Sequence, residues 1–516
     1  MSRNLTTAFA SIAGSRLVML VASAAITPAL LYYLGSGQFG QYASVMAVFG
    51  MLMILVSSGI NGGMRKYISE DRSDEDERWK DHVFAYYFRL ATLFALFAGG
   101  LLAVGAATGA ISTLMDADYD TYFYLLAVLV VAAQLRSVAR RALMGLKLEH
   151  IAEPLQVVHK VLFGVVAVAL AALGFGVPGV LVAFIVASTA VFAVAMALMA
   201  RQVSLSAILK PVPEDFPRRE LLNFNHLTIV YTFLLTSMYH VDVILLDRLV
   251  GHEAAGLYKA ALVLVQFLWF VPKSVQSMMI QSTSDLWAKG RTDRIESIAT
   301  RVTRYSLLVT TLMAVGLGAL AADFVPLYYH APDVELMFGP ILFLLPGTLG
   351  FAVARPMLSI NHAKGDMKTL IAATAAAAGL NLGLNVLLIP QYGMIGAALA
   401  TTVGYGSLPL LQTGAAKRLG YDPLADARIG RIAVTTAVAG LPIAVLPHLI
   451  NGSPIPFVGP SVLTVVVVPP VGFVLFAVVA VATGAVTLDE VFDLLGALPE
   501  PVSSRALALR ARVTGD

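Results

Sequence analysis

Apolar runs of about 20 residues or more recur along the whole chain, each long enough to cross the hydrocarbon core of a bilayer. At that depth no water satisfies backbone N–H and C=O groups, so only helices and closed barrels can span. Barrel strands would read as segments of about ten residues in strict alternation, and these runs do not. Composition agrees. Of 516 residues 58% are hydrophobic and 13% are charged, with a mean hydropathy of +0.79. A soluble domain carries about 25% charged residues, and a disordered chain has low hydrophobicity. The expected fold class is an all-α integral membrane protein.

Fourteen apolar segments can be marked, at roughly 8–34, 40–62, 83–108, 119–141, 155–175, 177–200, 226–249, 256–280, 302–322, 338–358, 367–389, 393–416, 431–450 and 461–487. The polar stretch Met1 to Thr7 and the apolar run after it read as an uncleaved first span. The distribution of positive charge tests the parse, because Lys and Arg gather on the cytoplasmic side. Counted with the adjoining span ends, alternate connections hold the cations from Arg65 to Lys80, Arg136 to Lys147, Arg201 to Arg219, Lys289 to Arg304, Arg355 to Lys368 and Lys417 to Arg431. With the two termini these account for all but six of the 35 Lys and Arg. The opposite connections hold Arg248 and Lys259, beside Asp116, Asp118, Asp120, Asp323, Asp333 and Glu335. Fourteen spans with both termini cytoplasmic follow.

The chain repeats itself at an offset near 216. Leu34-Gly35-x4-Gly40-x-Tyr42 matches Val250-Gly251-x4-Gly256-x-Tyr258. Gly176-x-x-Gly179 opens span 6 as Gly393-x-x-Gly396 opens span 12, and Arg141-x-x-x-Gly145 falls where Arg355-x-x-x-Ser359 does. Two six-helix lobes are expected, at 1–200 and 226–416, joined by a cytoplasmic linker at 201–225. Spans 13 and 14 (417–487) and a cytoplasmic tail (488–516) follow. Six is even, so the lobes are parallel repeats about an axis along the membrane normal. Such pseudo-symmetry marks an alternating-access transporter.

The same motifs resemble the polysaccharide-transport branch of the multidrug/oligosaccharidyl-lipid/polysaccharide (MOP) exporter superfamily. Besides the two Gly-x4-Gly-x-Tyr hairpins they include His240-Val-Asp242-Val-Ile-Leu-Leu and Asn381-x3-Asn385-x4-Pro390-x2-Gly393-x2-Gly396. The resemblance covers nearly the whole chain. It implies a Wzx-type flippase that carries a lipid-linked oligosaccharide, through its phosphate or diphosphate, to the outer leaflet for surface polysaccharide or glycoprotein assembly. It also implies a central cavity lined by spans 1, 2, 7 and 8. Expected partners are this substrate, membrane lipids and glycan-assembly enzymes. Arg outnumbers Lys and Ala and Val abound, which points to the plasma membrane of a prokaryote.

Ionisable residues at depth are costly and default to functional candidates. Arg16 lies about 12 Å into span 1 and Lys273 about 10 Å from the inner end of span 8. Two cations at matching depth suit the two sides of a phosphate site, Arg as a fork and Lys as a point charge. Arg89 on span 3 is a third candidate. Lys160 lies near a helix end and can snorkel. Asp242 on span 7 has three open roles: an ion pair with Lys259 that closes an outer gate, a purely structural pair, or a proton or sodium carrier. Asn381 and Asn385 share a helix face and suit interhelical hydrogen bonds.

The chain has no cysteine, which excludes disulfides and thiol catalysis. No Gly-Lys dipeptide occurs, hence no Walker A loop. His252-Glu253-Ala-Ala-Gly256 lacks the second histidine of a zinc-protease motif. No enzyme, cofactor, metal site or nucleic-acid partner is expected. The alternative function is a MATE-like, cation-coupled drug or metabolite antiporter, which requires dominant cavity carboxylates.

Overall fold

A computed structural model describes residues 5–72, 76–222, 226–451 and 459–496, with positions 504 and 510. Side chains are described from Val18 onward, so that of Arg16 lies outside the described residues. Helices dominate, and no strand occurs among the described residues. The first group is α1 (Leu5–Ser69), α2 (Trp79–Ala107), α3 (Ala110–Leu114), α4 (Asp118–Gly145), α5 (Glu149–Ala172), α6 (Gly176–Met199) and α7 (Arg218–Leu222). Next come α8 (His226–Ser237), α9 (Val241–Leu249), α10 (His252–Phe267), α11 (Phe270–Ala288) and α12 (Thr292–Tyr329). The rest are α13 (Phe338–Lys364), α14 (Met367–Leu419), α15 (Ile429–Asn451), α16 (Pro460–Ala482) and α17 (Leu488–Gly496).

Ten helices are long and apolar enough to cross a membrane, and two bent pairs, α7–α8 with α9 and α10 with α11, bring the number to 12. The two segments still missing from the expected fourteen lie inside α1 and α14. These helices have 65 and 53 residues. At 1.5 Å per residue a straight helix of the shorter length would run about 80 Å, against a hydrocarbon core of about 30 Å. Each instead turns at one glycine, Gly35 (φ 72°, ψ 168°) or Gly393 (φ 54°, ψ −129°). L side chains avoid both conformations. Their repeat partners Gly251 and Gly176 also have positive φ, 129° and 57°. Four of the glycines that the repeat aligns thus sit where the chain turns.

The chain forms two compact units. The first comprises Met1–Val263, Tyr329–Pro340 and Met367–Gly404. Among the described residues its core includes two apolar clusters. One joins α1, α2, α4, α5 and α6 around Tyr67, Trp79, Phe84 and Tyr87, and the other gathers Val45, Tyr119, Phe123 and Leu181. The second unit comprises Leu264–Tyr328, Ile341–Asp366 and Tyr405–Asp516. There α12, α15 and α16 meet through Leu308, Ile443, Val468 and Phe476. Large apolar side chains such as Leu93, Phe97 and Leu101 on α2, and Val466 and Val474 on α16, remain exposed. Such rows suit contact with lipid.

The expected linker docks on the first unit. Tyr87 Oη donates to Leu221 O at 3.1 Å, and Arg72 forms a 3.0 Å ion pair with Glu220. The hydrogen bond from Arg72 holds the Glu220 carboxyl below the usual glutamate range. A depressed carboxyl pKa contributes stability above its unfolded value and loses it as pH falls through the folded value. Amide exchange in 205–222 should therefore rise below about pH 4. Glu220→Gln should show raised exchange already at neutral pH. Equal exchange in wild type and variant across that range would show that the pair does not hold the linker.

Candidate functional site

Both bent pairs carry a charged candidate within about one turn of the break. In the first, the turns Tyr239 N to Thr236 O and His240 N to Ser237 O end α8, and α9 starts at Val241. Asp242, the second residue of α9, is fully buried. Its Oδ2 accepts from Tyr258 Oη at 2.8 Å and from Thr401 Oγ1 at 3.2 Å, and its Oδ1 accepts from Val243 N at 2.9 Å. Asn381 Nδ2 donates to Thr401 Oγ1 at 3.4 Å. One turn along α14, Asn385 is fully buried with neither amide atom hydrogen-bonded. Asp242 forms no ion pair with Lys259: hydroxyls and a backbone N–H hold the carboxylate. Lys259 is close enough to act on it through Coulomb attraction alone. A buried carboxylate with neutral donors needs no partner cation when it carries a proton or a small ion.

Glycines bring helices of the first unit together a short way from this cage. A Cβ placed on Gly40 would lie 1.8 Å from His252 O, and one placed on Gly256 would lie 2.0 Å from Ser36 O. The repeat offset relates Gly40 to Gly256 and also Ser36 to His252, so the contact is reciprocal, backbone against backbone. Around it, His252 Nδ1 contacts Asp247 Oδ1 at 2.6 Å and Nε2 contacts Asp116 Oδ2 at 2.9 Å. Tyr119 Oη donates to Asp247 Oδ2, and Ser36 Oγ donates to Glu253 Oε1 at 3.3 Å. Asp247 is therefore part of a latch joining α4 to α9 and α10.

The second unit holds the expected cation Lys273. Leu268 N and Trp269 N bond back to Val265 O and Gln266 O, tightening the end of α10. Pro272, four residues after Leu268, lacks an N–H and crowds that carbonyl, which accounts for the break. Lys273, the fourth residue of α11, is exposed, with Nζ 5.4 Å from the Trp269 ring. Arg355 on α13 lies over the same ring at 5.2 Å and over Phe351 at 4.3 Å, and its Nη1 donates to Gln276 Oε1 at 2.7 Å. Cation–aromatic contacts of this kind hold cations in place without neutralising them. From sequence, Arg355 counts as a connection charge; the structure buries it in the body of α13, 4% exposed. The signal was its place nine residues before Lys364, inside an apolar run. Arg89 is committed elsewhere: Nε donates to Ala85 O at 3.1 Å and Nη1 to Lys210 O at 3.0 Å, so it anchors the linker.

A family model described as polysaccharide biosynthesis protein matches residues 6–281, more than half the chain. The chain belongs to this polysaccharide biosynthesis protein family. A model described as lipid II flippase MurJ also matches, over residues 155–462. An uncharacterized membrane protein of Methanocaldococcus jannaschii is 27% identical over 173 residues, 32% of this chain and 33% of its own. The match thus spans about a third of that relative's length. Among solved structures, lipid II flippase MurJ in an inward closed conformation has TM-score 0.70 at 12% identity, covering 91% of this chain and 98% of its own. An inward-facing multidrug resistance MATE transporter of the MOP superfamily has TM-score 0.61 at 15% identity, covering 77% and 94%. A MOP superfamily transporter from Pyrococcus furiosus, with a binding pocket of reversed polarity, has TM-score 0.52 at 15% identity, covering 83% and 95%. At these identities the likeness is one of fold, and it agrees with the superfamily resemblance of the motifs.

The glycine contact of this family member can be tested directly. Gly40→Ala should cost about 1–3 kcal/mol through overpacking, seen as a lower unfolding temperature. Gly37→Ala, where a Cβ meets nothing within 4 Å, should leave it nearly unchanged. Equal losses from both would deny the close approach.

Proposed function

We propose that this protein is a flippase, moving a lipid-linked oligosaccharide, held by its phosphate or diphosphate, from the cytoplasmic to the outer leaflet by alternating access. The observation that carries this reading is the pair of cations, Lys273 and Arg355, on one tryptophan platform. Family membership supports it. In this reading both termini are cytoplasmic, which the alternation of Lys and Arg supports, and the membrane is the plasma membrane of a prokaryote. Each sugar hydroxyl moved unpaired into hydrocarbon costs about 4–8 kcal/mol, so the head group needs a polar route while its lipid tail stays in the bilayer. Lys273 is the exposed point charge for a phosphoryl oxygen, and Arg355 reinforces the field from beneath. Arg16 is a further phosphate ligand in this reading, on the strength of its depth in the sequence alone. Arg89 acts through the linker rather than on phosphate. An inside-negative potential contributes about 2.3 kcal/mol per charge per 100 mV to anion export.

Asp242 is the ion-coupling group in this reading. Its hydroxyl cage and the unpartnered Asn385 amide suit a proton or a sodium ion, and Lys259 modulates its charge. The same carboxylate is what would favour the antiporter, but a MATE-like drug carrier needs carboxylates at its cargo site, and the platform residues are cations.

Lys273→Ala and Arg355→Gln together should lower surface glycan display in complemented cells at least tenfold, with normal protein abundance. Display at the wild-type level would remove these residues from the mechanism. Asp242→Asn should abolish the dependence of transport on an imposed sodium or proton gradient while keeping substrate binding. Unchanged gradient dependence would leave Asp242 a structural group.

A further inference from the structure

We propose that the end of α4 that carries Arg136, Arg140 and Arg141 is a second phosphoryl-binding site, which receives the phosphate or diphosphate of an anionic lipid. The inference rests on the flippase reading only for the choice of one probe.

These cations count, by sequence, as connection charges that orient the chain. The structure sets them in the helix. Arg136 lies nine residues before Gly145, the last residue of α4, or about 13 Å along the axis. That is deeper than a charge needs to be to mark a membrane face. Their neutralisation is incomplete. Arg136 Nη1 donates to the neutral Gln156 at 3.2 Å. Arg140, whose side chain is 13% exposed, has one carboxylate within reach, Glu153 at 3.7 Å. The Nε atoms of Arg136 and Arg141 are buried without a hydrogen-bond partner. Arg65 on α1 stands close enough to repel both Arg140 and Arg141. Buried like charges with open donors are costly unless an anion satisfies them.

A cavity of about 370 Å³ opens beside them, lined by Arg65, Lys66, Met144, Lys147 and Glu149 with Gly62 and Ser69. Arg140 and Arg141 Nη1 atoms meet the sulfur of Met144 at 3.6 and 3.9 Å, so the cluster abuts the cavity wall. Lys147 sits in it at φ 62°. That is a left-handed helix-end position that usually goes to glycine, and a lysine there accepts strain to present its ammonium. Six cations, Arg65, Lys66, Arg136, Arg140, Arg141 and Lys147, thus stand against three carboxylates, Glu149, Glu153 and the Glu70 that pairs with Lys66. Arginine forks recognise phosphoryl oxygens in pairs.

The test uses full-length protein in nanodiscs of neutral lipid. The probes are a polyprenyl diphosphate, phosphatidylglycerol and the uncharged polyprenol. Wild type should bind the diphosphate at least tenfold more tightly than the polyprenol. Arg140→Gln/Arg141→Gln should lose most of that preference, while Lys273→Ala keeps the part due to α4. Lys147→Gln, at an exposed position, guards against misfolding of the double variant and should weaken binding about threefold or more. If phosphatidylglycerol binds as tightly and is lost in the same variants, the ligand is a membrane lipid headgroup, and the site stands even if the flippase reading fails. Unchanged binding of both phosphoryl lipids in Lys147→Gln and in any folded double variant would overturn the site.

Discussion

Hydrocarbon offers a peptide group nothing to hydrogen-bond, so every departure from a continuous helix in a spanning chain must be enclosed by protein or line a polar space. This chain departs in few places, and they organise it. At Gly35 and Gly393 the chain reverses between spans. At Tyr239–His240 and at Leu268–Trp269 a helix breaks within a span, and Asp242 or Lys273 follows within about one turn. The breaks free backbone groups and re-aim the next helix, which is how a charged side chain is delivered to depth without a helix end at the surface.

The two units use opposite means to keep a charge away from lipid. In the first, Asp242 is enclosed by Tyr258, Thr401 and a backbone N–H, all neutral, which leaves room for the proposed proton or sodium ion to balance its charge. In the second, Lys273 and Arg355 lean on the Trp269 and Phe351 rings. Aromatic faces stabilise a cation without supplying an anion, and the exposed Lys273 ammonium is open to a ligand. One arrangement suits an ion that comes and goes, the other a phosphoryl group. The reciprocal contact at Gly40 and Gly256, with the His252 latch beside it, shows why glycine spacing is kept in both repeats: a methyl at either position would strike a carbonyl oxygen.

Much of this was legible in the sequence, because hydropathy and charge alternation report spans directly and the glycine motifs report where the chain turns. The acid Asp242 stood out for the same reason. Its partners did not, since Tyr258 and Thr401 lie 16 and 159 residues away and nothing local links them. Lys259 was the natural partner on charge, yet nearer hydroxyls took the carboxylate. Arg355 and the arginines of α4 were hidden by the rule that revealed the topology. Counting charges with the adjoining span ends does not separate a residue in a connection from one two turns inside a helix. Arg89 looked like a deep cation, but its length lets it reach the linker carbonyl at Lys210.

Everything in the proposed function turns on an anionic lipid-linked glycan as the cargo. The most direct measurement is the sidedness of lipid-linked oligosaccharide in membranes of cells depleted of this protein. It is read by a probe that modifies only outward-facing sugar and is repeated after restoring the wild-type chain. With such a cargo the glycan head accumulates facing the cytoplasm on depletion and returns to the outer leaflet on restoration. An unchanged distribution, with synthesis of the lipid-linked glycan intact, would contradict this cargo assignment.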